Sequence, residues 1–255
     1  MKNSDIFYFD VDGTILDSET QKISEDTIKA IDSLQAAGYK IAIATGRTSA
    51  SLDNPEIRSV CDWDGYVLAN GGSILDKDFN VVKEHLCEPE FIEKIIELYP
   101  GTILLEGYKN YVINDMSDRM REFLGEVADV VIPIEKYQGE KILNIIIEDV
   151  SLIPNGYDNE VFKNYDYFIN TGDMPEFFPK GSGKHVAIAE LNEIMDYKRH
   201  TFFGDGNNDI DPIREADFGV AMENASDGAK AVANYVTKSV GEDGVRHALE
   251  FFEVI

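Results

Sequence analysis

A chain of 255 residues, 44% hydrophobic and 11% aromatic, has ample material for a packed core, which excludes a disordered segment. Lys and Arg number 23 against 48 Asp and Glu, a formal charge of −25; this argues against a nucleic-acid partner and disfavours simple electrostatic capture of an anion. No uninterrupted apolar run approaches the ~20 residues of a membrane span.

The first element is a buried strand, Ile6 to Phe9, which stops at Asp10-Val11-Asp12-Gly13-Thr14. Asp is a poor strand residue. In open α/β sheets the carboxyl ends of strands are where ligands bind, so two acids at this point suggest chemistry. One carboxylate can attack an electrophile such as phosphorus, the other can protonate a leaving oxygen and then activate water, and both can hold a hard cation. The structural alternative is an acidic turn with Gly13 at the bend.

Ser24 is a fair N-cap for a helix carrying Ile28, Ile31 and Leu34, which Gly38 ends. A second strand, Lys40 to Ala44, completes a βαβ unit and predicts a parallel sheet. It ends at Thr45-Gly46-Arg47, whose hydroxyl, N–H and guanidinium suit phosphate oxygens as well as an ordinary strand-to-helix turn. Tyr66 to Ala69 is a third strand leading into Asn70-Gly71-Gly72, and Ser73 to Lys83 reads as a hairpin.

From Glu84 the texture changes. A helix over Glu90–Leu98 and strand-like pieces at Thr102–Leu105, Tyr111–Ile113, Lys141–Ile147 and Tyr167–Asn170, with a helical Ser117–Leu124, read as an inserted α/β module over residues 84–178 without a legible catalytic cluster. The flanking pieces, 1–83 and 179–255, form one core. The chain re-enters that core at Phe178-Pro179-Lys180-Gly181-Ser182-Gly183-Lys184. A lysine opening a helix opposes the dipole, which favours a functional role for Lys184, with Lys180 as its competitor. His200 to Gly204 is a strand running into Asp205-Gly206-Asn207-Asn208-Asp209. A calcium loop would need Gly sixth and Glu twelfth; Ile210 and Ala216 stand there instead. A strand over Phe218–Met222, a helix over Gly228–Ala233, a short strand at Tyr235–Thr237 and a helix over Asp243–Phe252 finish the chain.

If the strands are parallel, Asp10, Asp12, Thr45, Lys184, Asp205 and Asp209 converge on one sheet edge. Each like-charge pair at ~4 Å costs roughly 4 kcal/mol at an effective dielectric near 20, so either some acids are protonated or a divalent cation binds, Mg²⁺ being natural for oxygen ligands.

Four stretches, Asp10–Thr14, Thr45, Lys184 and Asp205–Asp209, resemble in order the motifs of the haloacid dehalogenase-like phosphatases and phosphotransferases, with an insert resembling their larger α/β cap in the Cof-type group. The resemblance implies a Rossmann-like parallel-sheet core with helices on both faces and an inserted α/β cap domain. It implies Asp10 as nucleophile and Asp12 as acid and base. Thr45, Gly46, Lys184 and Asn208 would bind phosphate, and Asp10, Asp12, Asp205 and Asp209 would hold Mg²⁺, Asp209 directly or through water. Arg47 and Asn70 would touch substrate. The implied reaction is hydrolysis of a small phosphate ester, a sugar phosphate first, through an aspartyl-phosphate. A phosphomutase like phosphomannomutase, or a non-catalytic phosphosugar- or metal-binding protein, would share these motifs. The polar start Met1–Asp5 lacks a signal-peptide core, and Cys61 and Cys87 read as free thiols, so a cytoplasmic protein is expected.

Overall fold

The computed structural model describes residues 1–52, 55–58, 60–127, 132–170 and 172–255. In chain order its strands are β1 (Ile6–Phe9), β2 (Leu16–Asp17), β3 (Lys22–Ile23), β4 (Lys40–Ala44), β5 (Gly65–Leu68), β6 (Ser73–Asp76) and β7 (Val81–Glu84). There follow β8 (Ile103–Gly107), β9 (Tyr111–Ile113), β10 (Ile142–Ile147), β11 (Tyr165–Ile169) and β12 (Pro175–Pro179), then β13 (His200–Gly204), β14 (Phe218–Ala221) and β15 (Tyr235–Val236).

The larger sheet has the order β15-β14-β13-β1-β4-β5-β6-β7. It is parallel from β15 to β5, and the expected hairpin adds β6 and β7 antiparallel at the edge. The chain leaves β1 toward β4 and, after the insert, returns on the other side of β1 at β13. Strand order therefore reverses at β1, where a crevice opens at the carboxyl edge of such a sheet. Strand β1 is wholly buried and stacks Phe9 on Phe203. Helices cover both faces: Glu25–Ala36 packs on β4 and on Gly244–Phe251, while Lys184–Met195 packs on β5 and on Ile210–Glu215. Ser24 caps the first of these, accepting from Thr27 N–H.

The insert forms its own antiparallel sheet, β11-β12-β10-β8-β9. Alternation gives it two apolar faces. Ile103, Leu105, Ile145 and Ile147 pack with Phe91 and Ile95 of the helix Pro89–Leu98. Leu104 and Ile146 pack with Met120, Phe123 and Leu124 of the helix Asp118–Val127. Strand β12 was not expected from the sequence; its two prolines stand at its ends, where a ladder tolerates them. Strand β7 extends to Glu84 in the larger sheet and β12 to Pro179 in the smaller one, each one residue past the junctions expected at 83 and 178. The small β2–β3 hairpin was also unforeseen. Among the described residues no helix is long and apolar enough to cross a membrane.

Candidate active site

Strand β1 delivers Asp10 to the crevice at the switch point, and the Asp10 N–H still donates to Phe203 O at 2.9 Å, so the ladder holds the backbone up to the acid itself. Strand β13 delivers Asp205, and β4 delivers Thr45, whose N–H donates to Val67 O. Lys184 opens the helix Lys184–Met195 and is 3% exposed. Its ammonium donates to Asp10 Oδ1 at 2.9 Å and Asp209 Oδ1 at 2.6 Å. Burial alone would depress that ammonium's pKa, but the two carboxylates outweigh burial and hold it above the ordinary lysine value. Asp10 is pushed well above the usual carboxylate range by burial, with Lys184 opposing and Asp209 and Asp205 adding repulsion. Burial first, then Asp209, raises Asp205 to about 7.

Asp10, Asp205 and Asp209 each offer an oxygen within 4.8 Å of the others. An all-oxygen set of this kind suits a hard divalent cation. Asp209 is already engaged on both oxygens, Oδ1 by Lys184 and Oδ2 by the N–H groups of Asp205 and Gly206, each at 2.9 Å. Asp205 Oδ1 accepts from the Thr14 hydroxyl at 3.0 Å. The two loops close because residue 13 is glycine at φ +79: a Cβ there would lie 2.3 Å from Asp205 Oδ2. The residues thus fit a cation seated on Asp10 and Asp205, with Asp209 fixing the loop that carries Asp205.

Asp12 was expected as a ligand; its side chain lies outside the three-carboxylate cluster, and its carboxylate oxygens both accept from Arg47, Nη2 to Oδ1 at 2.7 Å and Nε to Oδ2 at 2.9 Å. The cause is local: β4 pairs with β1, so the loops after them lie side by side, and a buried guanidinium demands an anion. Arg47, expected to face substrate, lines the cavity but is held by Asp12. Thr45 and Gly46 line the same cavity, the Thr45 hydroxyl accepting from Arg47 N–H. Lys180 is exposed on the surface, so of the two lysines Lys184 alone reaches the acids. Asn208 donates to Asn70 Oδ1 at 2.8 Å, and Asn70 donates onward to Glu176 Oε1 at 2.6 Å. Ala69, Asn70 and Gly71 all have positive φ, at 51, 51 and 101. This left-handed turn presses Gly71 against the backbone of Gly183, beside Lys184, and turns Asn70 between the two sheets.

The sequence had offered no site residue in the insert; the structure supplies several. A cavity of about 180 Å³ lies above Asp10 and is roofed by Glu106, Asn110, Phe168, Asn170 and Glu176. Asn110 also exchanges hydrogen bonds with the Thr48 hydroxyl at 3.1 and 3.2 Å. The signal for these residues was present as polar side chains interrupting apolar alternation, Asn144 within an isoleucine strand above all.

The fold is that of a phosphatase with a Rossmann-like core beneath an inserted cap. The chain belongs to the haloacid dehalogenase-like hydrolase family, whose model matches residues 7–249. It is 31% identical over 246 residues to the 5-amino-6-(5-phospho-D-ribitylamino)uracil phosphatase YcsE of Bacillus subtilis, covering 94% of this chain and 92% of that protein. Among solved structures it resembles the phosphatase BT1666 of Bacteroides thetaiotaomicron, with a TM-score of 0.88, 26% identity, and 100% and 97% of the two chains covered. The subclass IIB sugar phosphatase BT4131 gives a TM-score of 0.85 at 25% identity, covering 99% of this chain and 100% of that one.

Proposed function

We propose that this protein is a Mg²⁺-dependent phosphomonoesterase that works through an aspartyl-phosphate on a small phosphorylated metabolite, sugar phosphates foremost. The observation that carries the reading is the placement of Asp10: a buried carboxylate at the switch point, touched by Lys184, grouped with Asp205 and Asp209, and open to a cavity under the cap.

In the first step an Asp10 oxygen attacks phosphorus in line and the ester P–O bond breaks. Asp12 gives its proton to the departing oxygen. In the second step Asp12 takes a proton from water, which attacks the same phosphorus, frees Asp10 and yields orthophosphate. The Thr45 hydroxyl, the Gly46 N–H and Asn208 surround the transferred group, and the Lys184 ammonium balances its charge. Mg²⁺ held by Asp10 and Asp205 would add a fixed positive charge beside the phosphoryl oxygens. Such neutralisation matters here, because burial raises the pKa of Asp10 and a nucleophile must be ionised.

Similarity to a sugar phosphatase and to a phosphatase of a ribityl phosphate supports a substrate with a polyhydroxylated leaving group. The test is phosphate release from a panel of monoesters, with Mg²⁺ and with chelator, beside Asp10→Asn. Turnover that depends on Mg²⁺ and is lost in the variant is expected. An Asp10→Asn protein as active as its parent, or full activity in chelator, would falsify the reading.

A further inference from the structure

We propose that the cap wall of the cavity is a leaving-group subsite for a neutral or cationic, hydroxyl- or amine-rich alcohol, and that it excludes esters carrying a second anion. The inference rests on the phosphatase reading above and concerns only what lies beyond the phosphoryl group.

Three cap strands place polar side chains on the face turned toward the core. On β8 Glu106 follows Leu104 by two residues, on β10 Asn144 precedes Ile146 by two, and on β12 Glu176 lies two residues beyond Met174, which stands just before that strand. Leu104, Ile146 and Met174 share one apolar cluster, so by alternation the three polar residues share its face. Register confirms the grouping: Asn144 stands opposite Glu106, and Ile146 opposite Glu176. The Asn144 amide donates to Glu176 Oε1 at 2.8 Å and makes a long contact with Glu106 Oε2 at 3.4 Å. Glu176 Oε1 is also taken by Asn70. Both carboxyl groups line the cavity with acceptor capacity left over.

An orphaned atom on the cavity wall points to a ligand. Asn170 Nδ2 is buried and unpartnered, while its Oδ1 is pinned by the N–H groups of Gly172 and Met174 at 3.0 and 3.1 Å. Unmet groups of this kind carry a cost unless something pairs with them. A wall of carboxyl acceptors beside one fixed amide donor suits hydroxyls, which donate and accept, and suits amines. The apolar side chains beside that wall, Phe123, Leu124, Ile146 and Phe168, suit the C–H face of a ring or chain.

A second phosphate or carboxylate meets the Glu106 and Glu176 carboxyl groups and no uncommitted cation among the described cavity-lining residues. The one cation among the described cavity-lining residues is Arg47, which Asp12 already holds. The volume of about 180 Å³ lies below the ~300–1,000 Å³ of pockets that enclose drug-sized ligands, which limits the group to about one sugar ring or a short polyol.

The experiment compares kcat/KM for glucose 6-phosphate, glucosamine 6-phosphate and 6-phosphogluconate, with p-nitrophenyl phosphate as an ester that needs no subsite. Wild type is expected to favour the neutral and cationic esters over the carboxylated one by about 100-fold or more. Glu176→Gln should narrow that ratio by about tenfold at pH 8, above the value of about 7 to which burial raises the Glu176 carboxyl. Since the wild-type ratio is read first, a variant that fails to fold does not rescue the idea. Cleavage of the aryl ester with a ratio near one, or without turnover of any of the three hexose esters, overturns the subsite and leaves the phosphatase reading standing. Failure to cleave even the aryl ester overturns the underlying reading instead.

Discussion

Arg47 grips Asp12 with two nitrogens, Nε on one carboxylate oxygen and Nη2 on the other, and its own side chain is only 7% exposed. Each Asp12 oxygen accepts one Arg47 nitrogen and keeps a lone pair, and the Asp12 side chain stays 34% exposed where it lines the cavity. In the proposed mechanism Arg47 therefore acts by positioning Asp12. Lysine keeps the charge and loses the fork.

Arg47→Lys and Asp12→Asn are accordingly expected to share a signature. Both should lower kcat for alkyl monophosphates, Asp12→Asn by ~10²–10⁴-fold. Both should spare the pre-steady-state release of p-nitrophenolate from p-nitrophenyl phosphate, which leaves without a proton, while steady-state turnover falls with the loss of the base that activates water. The double variant should be no worse than Asp12→Asn, because the residues act as one unit. A p-nitrophenolate burst slowed as much as alkyl-ester cleavage would show that Arg47 serves substrate directly.

Among the described residues Lys184 is the one counter-charge that touches both Asp10 and Asp209. Lys184→Met removes it and leaves two buried carboxylates facing each other, a change that costs about 3–5 kcal/mol where a buried pair is broken. In chelator the melting temperature should fall accordingly. Saturating Mg²⁺ should recover part of the loss, since a ligand at 100 times its Kd adds about 2.7 kcal/mol. Calorimetry of parent and variant, with and without Mg²⁺, reads both effects.

The pH dependence of stability has a defined sign at Glu176. Burial, partly offset by the bonds from Asn70 and Asn144, raises it from 4.5 to about 7. A carboxyl raised in the folded state favours folding most below its unfolded pKa. That contribution is lost as pH climbs through the window from 4.5 to about 7. Glu176→Gln keeps the Oε1 acceptor and cannot ionise. Relative to wild type, the variant should gain stability across that window, on the order of 3 kcal/mol by its upper end. Denaturant melts at several pH values, taken without metal, give the difference; a flat difference would remove Glu176 from the titration.

Gly13→Ala places a methyl carbon 2.3 Å from Asp205 Oδ2 at a backbone angle of +79 that alanine resists. A strained left-handed residue costs about 1–3 kcal/mol, and the clash pushes Asp205 away from Asp10. Weaker Mg²⁺ binding, followed by calorimetric titration, should accompany any loss of stability. Unchanged affinity would mean that the cation does not use Asp205.

The reacting edge was legible because each of its residues follows an apolar run that ends abruptly: Phe9 before Asp10, Ala44 before Thr45, Gly204 before Asp205. Parallel pairing then leaves few places for those ends to go. Lys184 was legible through its awkward position at a helix start. The partnership of Asp12 with Arg47 was not, since it depends on how two loops from neighbouring strands lie together. The cap residues were hidden for a different reason. Glu106, Asn144 and Glu176 are far apart in sequence and become neighbours only through the order β12-β10-β8, and β12 itself is masked by its terminal prolines.

The insert is entered after β7 and left through β12, and its return path runs past Gly183, whose backbone abuts Gly71 next to the reacting groups. Both splice points thus sit on the rim of the same crevice, and no strand of the larger sheet has to be unthreaded to exchange what lies between them. A foreign lid grafted at these two seams would inherit an intact chemical engine and bring its own choice of alcohol, which makes this architecture a ready chassis for retargeting.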